Sequence, residues 1–306
     1  MFEIVFLGTS ASAPSAQRGL PALVIKHNEH RFLLDCGEGT QRQILKSGLG
    51  FRKLNRLLIT HGHLDHILGI GGLLSTYLRW EAMDSLEIYA GQNALERIHD
   101  LIFNVVIRGV SPPFPINLIQ VESGLLIEEP DLTIRAFPVQ HRGPGCFGYI
   151  FEEKGKRPFL AEKAEALGIP QGPWRRDLVN GKDSTLADGR VIRADEVLGP
   201  FANGTKLVVV GDSGETESLL PYCEDADAII CEATYLEEEA EMAAQFAHLT
   251  AKQAAAFAVR AKANHLYLTH ISRRYREKDI EKEARLVFPE AIVARDLDVY
   301  QVKKDS

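Results

Sequence analysis

Cysteine is scarce. The chain has four among 306 residues, at positions 36, 146, 223 and 231, and no two form a Cys-x-x-Cys pair. This excludes a dense disulfide frame and a thiolate zinc ribbon, and reads as reduced, buried thiols of a cytoplasmic protein. Long apolar runs are also missing, since none approaches the roughly 20 residues that a membrane span needs. The opening "MFEIVFLGTS" lacks a basic flank before its apolar stretch, so it reads as a strand and not as a secretory leader. There is no excess of positive charge. With 35 Lys+Arg against 42 Asp+Glu the net charge is −7, an average that weighs against a dedicated nucleic-acid binder. The remaining composition, 45% hydrophobic and 25% charged, is that of a globular chain long enough for one large domain or two ordinary ones.

The chain alternates short apolar strands with helices. "ALVI" and "RFLLD" flank the polar turn "KHNEH" as a hairpin, and "TQRQILKSG" reads as a short helix closed by Gly48. "LNRLLIT", "SLEIYAG", "LTIRAFPVQH", "KLVVVGDSG", "DAIICEATY" and "HLYLTHIS" are strand-like, and most end in His, Asp or Glu. "ILGIGGLLSTYLR" and "ALERIHDLIFNVV" have helical spacing, as does "TAKQAAAFAVRAKA" with Thr250 as its N-cap. "EKDIEKEARLVFP" is a helix stopped by Pro289. Residues 152–193 break the pattern. They are Gly/Pro-punctuated, poor in strand-like runs, and carry nine Lys/Arg against seven Asp/Glu, while the rest has 26 against 35. They read as an insertion protruding from the core domain.

The densest chemistry lies in "ITHGHLDHILG", which puts His61, His63, Asp65 and His66 within six residues. Such groups are costly to bury unless a partner such as a cation compensates them. His61 and His63, two apart on an extended loop, can point the same way, and Asp65 and His66 can turn toward a second ion. His141, Asp212 and His270 each follow an apolar strand, so one sheet edge can gather all seven donors, about the number two zinc ions require. Two such ions together suit phosphodiester or ester hydrolysis. His27, His30, His99 and His265 stand in turns or helical contexts and read as solvated or structural.

The motif His-x-His-x-Asp-His, with "FLGTSA" upstream and strand-end His, Asp and His downstream, resembles the metallo-β-lactamase superfamily. That resemblance implies an α/β fold, an αββα sandwich with the metals at one edge. "LLDCGEGTQRQ", "GIPQGPWRRDLVNGKDSTLADGRVI", "GDSGET", "CEATY", "HLT" and "LTHISRRY", in this order along nearly the whole chain, are similar to the ribonuclease Z branch. The resemblance implies a zinc-dependent endoribonuclease that cleaves the 3′ trailer from precursor tRNA. His61, His63 and His141 would hold one zinc and Asp65, His66 and His270 the other, with Asp212 bridging. Asp35 would orient the site. Glu232 and His248 would be catalytic beside Asp65, His248 as the general acid that protonates the departing ribose 3′-oxygen and Glu232 as its acidic partner. Two positions depart from the family pattern: Cys231 replaces a frequent His before "EAT", and "HLT" replaces "HST" at 248–250.

By the same resemblance the 152–193 insertion corresponds to a tRNA-binding arm on a 1–306 catalytic domain, and the protein would be a homodimer. Lys154, Lys156, Arg157, Arg175, Arg176, Lys182 and Arg190 can track a phosphate backbone, and Trp174 can pack on sugar or base. "ISRRYREK" after His270 has four basic residues against one acidic, which makes Arg273 and Arg274 candidates for the phosphates flanking the scissile bond. The alternative is a small-molecule phosphodiester or ester hydrolase of the same fold, expected to lack a basic arm. Histidine and carboxylate donors would also accept manganese, iron or cobalt.

Overall fold

A computed structural model describes residues 1–79 and 83–304. The larger of its two compact units comprises residues 1–152 and 205–306. It is built on two seven-stranded sheets. The first contains β1 (Phe2–Gly8), β2 (Ala22–His27), β3 (His30–Leu34), β4 (Arg56–Leu58), β5 (Leu86–Ala90) and β6 (Ile116–Gln120) in chain order, with the C-terminal strand β16 (Val299–Val302) beside β1. The second has the order β15 (Ile292–Val293), β14 (His265–Thr269), β13 (Ala228–Glu232), β12 (Lys206–Val209), β9 (Phe147–Glu153), β8 (Leu132–Pro138), β7 (Gly124–Glu128). The "KHNEH" hairpin joins β2 to β3 in antiparallel register.

Period-two alternation divides each strand between two cores. In β1, Phe2, Ile4 and Phe6 face the second sheet, where they meet Phe151, Leu207, Ile230 and Tyr267. Val5 and Leu7 face outward onto Ile44 of helix Thr40–Lys46 and onto Leu73 and Leu74 of helix Gly69–Tyr77. The second sheet does the same. Ala228 and Ile230 point inward, while Ile229 and Cys231 pack on Ala254, Ala255 and Phe257 of helix Ala251–Arg260. Each fully buried Phe or Ile contributes about 1.5–3 kcal/mol. The layers are therefore helix, sheet, sheet, helix. No helix among the described residues is long and apolar enough to cross a membrane.

Helix Ala251–Arg260 starts at a capping box, with Thr250 Oγ1 accepting from the Gln253 amide and the Gln253 side chain accepting from the Thr250 amide. Helix Glu277–Arg285 ends before Pro289. The helical pattern expected from Ala94 to Val106 is an α-helix over Gln92–His99 that continues as π-helical turns over Asp100–Val106.

The second compact unit is Glu153–Gly204. Its small core is Ala164, Ile169, Leu178, Leu186, Ile192, Ala194, Val197 and Leu198, with Phe159, Leu167 and Trp174 packed against it. It holds three short helices and a two-stranded ribbon, β10 (Ser184–Thr185) with β11 (Val191–Ile192). The unit continues past Arg193 to Gly204 because helix Ala194–Val197 and Leu198 belong to this core.

Candidate metal centre

The donors sit where strands end. His61 and His63 follow β4, and His63 is the extended N-cap of a one-turn helix, Leu64–Ile67, that carries Asp65 and His66. The switch from extended chain to helix is what turns the last two away from the first two. The glycine between the histidines is sterically required, since a Cβ at Gly62 would come within 2.9 Å of the Ala94 Cα. Gly211, just before Asp212, has φ +77°, which suits glycine best. His141, Asp212 and His270 follow β8, β12 and β14, so the structure brings all seven sequence-predicted donors to one end of the two sheets.

Four of the five imidazoles are turned by a bond from behind. His141 Nδ1 donates to the Ala247 carbonyl at 2.7 Å, and His66 Nδ1 lies 2.8 Å from Asp35 Oδ2. His270 Nδ1 is 2.9 Å from Thr234 Oγ1, and His61 Nδ1 is 3.1 Å from Thr60 Oγ1. With Nδ1 occupied, Nε2 faces the centre. Asp212 Oδ2 is the hub, lying 3.3 Å from His270 Nε2, 3.4 Å from His66 Nε2, 3.8 Å from His61 Nε2 and 4.0 Å from His141 Nε2. His63 alone presents Nδ1, 2.9 Å from His61 Nε2 and 3.3 Å from His141 Nε2. Asp65 Oδ2 lies 3.6 Å from His270 Nε2 and 3.7 Å from His66 Nε2.

These residues fit a divalent cation. The Nε2 atoms of His66 and His270 are buried without a hydrogen-bond partner among the described residues. Each such orphan costs about 1–3 kcal/mol, which coordination would relieve. Three ring nitrogens as close as those of His61, His63 and His141 repel unless a proton or cation lies among them. Protonation is disfavoured there. Burial, and the nearby His66, push His61 well below the ordinary histidine value. Burial and His141 push His63 to about 4, and burial lowers His141. Neutral imidazole is the form that ligates. Burial would raise the Asp212 carboxyl, but the charges of His270 and His66 outweigh it and hold Asp212 well below the carboxylate range. Burial likewise opposes the charge on His66, yet Asp35 and Asp212 outweigh it and raise that imidazole. The pocket thus stabilises positive charge between its carboxylates.

Beside the donors lies a second pair. His248 Nδ1 is 2.9 and 3.1 Å from the two oxygens of Glu232, both side chains are buried, and the His248 ring stands 5.0 Å from that of His141 and 5.3 Å from that of His270. Burial lowers the His248 value, but the Glu232 charge and hydrogen bond outweigh it and lift it to about 9. The two departures from the family pattern lie outside this pair. Cys231 faces the outer helix layer and Leu249 is buried in the same apolar cluster.

The positively charged candidates are placed less uniformly. Arg175 spends its guanidinium on the Ile169 carbonyl, with Nη2 at 2.7 Å, whereas Arg176 is exposed. Arg157 donates to the Gly199 carbonyl at 2.8 Å and Arg190 to the Leu167 carbonyl at 3.0 Å, so both brace the small unit's own loops. Trp174 is half-buried against that unit's core. Arg273 and Arg274 are exposed, and Arg274 pairs with Glu239 at 3.0 Å. Of the other histidines, His27 pairs with Asp131 at 3.0 Å and His99 packs at a tilt against Phe103. His265 opens strand β14, the strand read from "HLYLTHIS", and does not stand in a turn or helix.

Reading the sequence also missed two hydroxyls. Thr60 Oγ1 binds Asp35 and sits between it and His61, and Thr234 Oγ1 joins Glu232 to His270. Thr60 adjoins His61 and Thr234 stands two positions after Glu232, each just past a strand end, which is the only clue they offer. Asp35 and His270 hold left-handed backbone, φ 54° and 56°, unusual for non-glycine residues. Hydrogen bonds from Thr60 to Asp35 and from Thr234 to the His270 carbonyl fix them there.

Comparison with known proteins agrees with this architecture. The family described as a β-lactamase superfamily domain matches residues 30–198. The chain is 44% identical to ribonuclease Z of Bradyrhizobium diazoefficiens over 298 residues, covering 97% of this chain and 99% of that protein. Among solved structures, the short form of human tRNase Z superposes with a TM-score of 0.67 at 25% identity, covering 98% of this chain and 99% of that one. The metallo-β-lactamase fold protein YhfI of Bacillus subtilis superposes with a TM-score of 0.70 at 19% identity, over 98% and 100% of the two chains, a likeness of fold alone. The chain belongs to the β-lactamase superfamily and, within it, to the ribonuclease Z family.

Proposed function

We propose that this chain is a metal-dependent endoribonuclease that removes the 3′ trailer of precursor tRNA by hydrolysis, leaving a 3′-hydroxyl on the tRNA and a 5′-phosphate on the trailer. The observation that carries the reading is a carboxylate-backed imidazole, His248, set 5.0 Å from His141 at the rim of a seven-donor cluster. Full-length likeness to ribonuclease Z supplies the substrate class. His61, His63 and His141 would hold one zinc, Asp65, His66 and His270 a second, and Asp212 both. When bound, two such ions supply an activated water and offset charge building on the phosphate.

The protein's own groups do the rest. His248, protonated through neutral pH, faces the departing ribose 3′-oxygen with Nε2 while Glu232 holds Nδ1. Proton transfer then spares the tRNA from leaving as an alkoxide. Asp35, Thr60, Thr234 and the Ala247 carbonyl keep the donors turned inward. Residues 153–204 serve as the tRNA-binding arm, with Arg176, Lys156 and Lys182 on phosphates, and Arg273 and Arg274 take the phosphates beside the cut. The enzyme acts in the cytoplasm as a homodimer. A separate unit of this kind favours tRNA over the small-molecule substrates of an arm-less hydrolase.

Incubating the protein with one precursor tRNA and zinc, with and without a chelator, tests this. Zinc-dependent release of the trailer, stopped by the chelator, is expected. An uncut precursor alongside turnover of a nitrophenyl phosphodiester would place the chain with the small-molecule hydrolases.

A further inference from the structure

At the rim next to His248, two loops are tied together and carry a stacked pair. The His141 Nδ1 to Ala247 carbonyl bond, 2.7 Å, joins the loop after β8 to the loop before helix Ala251–Arg260. One residue along each loop, the Arg142 Cζ lies 5.6 Å over the Phe246 ring. Phe246 is half-buried and Arg142 exposed, so the ring braces one side of a guanidinium that is otherwise open to solvent. Tyr235 adds a second aromatic to this rim, its ring 6.1 Å from that of His248. Guanidinium planes and aromatic rings are the surfaces on which unpaired RNA bases stack.

Resting on the reading of the chain as a tRNA 3′-processing enzyme, we propose that Arg142, braced by Phe246, stacks the base of the last nucleotide retained on the tRNA. The assignment to that nucleotide follows from chemistry. His248 gives its proton to the 3′-oxygen of this nucleotide's own ribose. The residues flanking His248 therefore meet the retained side of the cut, not the trailer. A planar, exposed cation tolerates any base, so this contact would position the substrate without demanding one sequence.

The test pairs Arg142→Ala with three precursors: one intact, one abasic at the last retained nucleotide, one abasic at the first trailer nucleotide. Metal content and thermal melting of the variant, compared with wild type, confirm that it folds. Arg142→Ala should raise KM on the intact precursor by roughly 5- to 150-fold, the range for losing one base stack. On the precursor lacking the retained base, variant and wild type should differ by less than about threefold, because each has already lost the same contact. Arg142→Lys, which keeps charge but not the plane, should behave nearly as alanine does. Equal sensitivity of both enzymes to loss of the retained base would overturn the assignment, as would coupling to the trailer base instead. Wild-type protein that leaves every precursor uncut would overturn the underlying reading, whereas efficient cutting without coupling overturns this inference alone.

Discussion

His248 Nδ1 lies 2.9 Å from one oxygen of Glu232 and 3.1 Å from the other, so a single buried carboxylate brackets a single ring nitrogen. The ring's other nitrogen is left for a substrate. Replacing His248 with alanine should lower kcat on precursor tRNA by roughly 10²–10⁴-fold with metal content unchanged. A nitrophenyl phosphodiester, whose leaving group needs little protonation, should lose far less. Equal losses on both substrates would remove His248 from the acid role.

The same pair sets a pH dependence. His248 sits at about 9, because Glu232 outweighs the burial that would lower it. The acid form therefore persists through neutral pH and is lost as pH rises through about 9. Glu232→Gln removes the largest raising charge and leaves the burial, so the alkaline limb of kcat should move to lower pH. An unmoved limb in the variant would mean that another group titrates.

Thr234 joins that pair to the donor cluster, with Oγ1 at 2.9 Å from His270 Nδ1 and bonded to Glu232. Thr234→Val should weaken metal binding about 10- to 100-fold by freeing the His270 ring, and Thr234→Ser should restore it. Titration of bound metal against a competing chelator measures this. A serine variant as weak as valine would show that the methyl packing matters, not the hydroxyl.

Removing residues 153–204 separates the two units' roles. Glu152 pairs with Lys206 across antiparallel β9 and β12, so a short Gly/Ser turn from Glu152 to Thr205 closes the gap as a hairpin. Nitrophenyl phosphodiester hydrolysis should survive and precursor-tRNA cleavage should fall steeply through KM. Parallel loss of both activities would make the segment part of the catalytic core.

Much of the site was legible because its donors are rare residue types standing immediately after apolar strands. Short continuous apolar runs located β12, β13 and β14, and Asp212, Glu232 and His270 stand at or just past their ends. Strands β6 and β7 were not seen because they lie at sheet edges, half-exposed, with mixed sequences "INLIQ" and "GLLIE". β16 is specified by pairing with β1 at the far end of the chain, with Val302 opposite Phe2, a relationship no local pattern carries. The bracing hydroxyls of Thr60 and Thr234 escaped for a different reason. Threonine is common at strand ends, and only the fold shows which ones face a histidine. Basic residues are legible only as candidates in sequence, since the guanidinium groups of Arg157, Arg175 and Arg190 also donate to carbonyls of their own unit.

Asp212 Oδ2 stands within 4.0 Å of four imidazole nitrogens, the position from which one carboxylate would be shared by two ions. Elemental analysis of wild type and Asp212→Ala, purified side by side in zinc, measures this directly. Two zinc equivalents per chain are expected in the wild type and one or none in the variant, with precursor-tRNA cleavage abolished. Two full equivalents retained by Asp212→Ala would contradict that sharing.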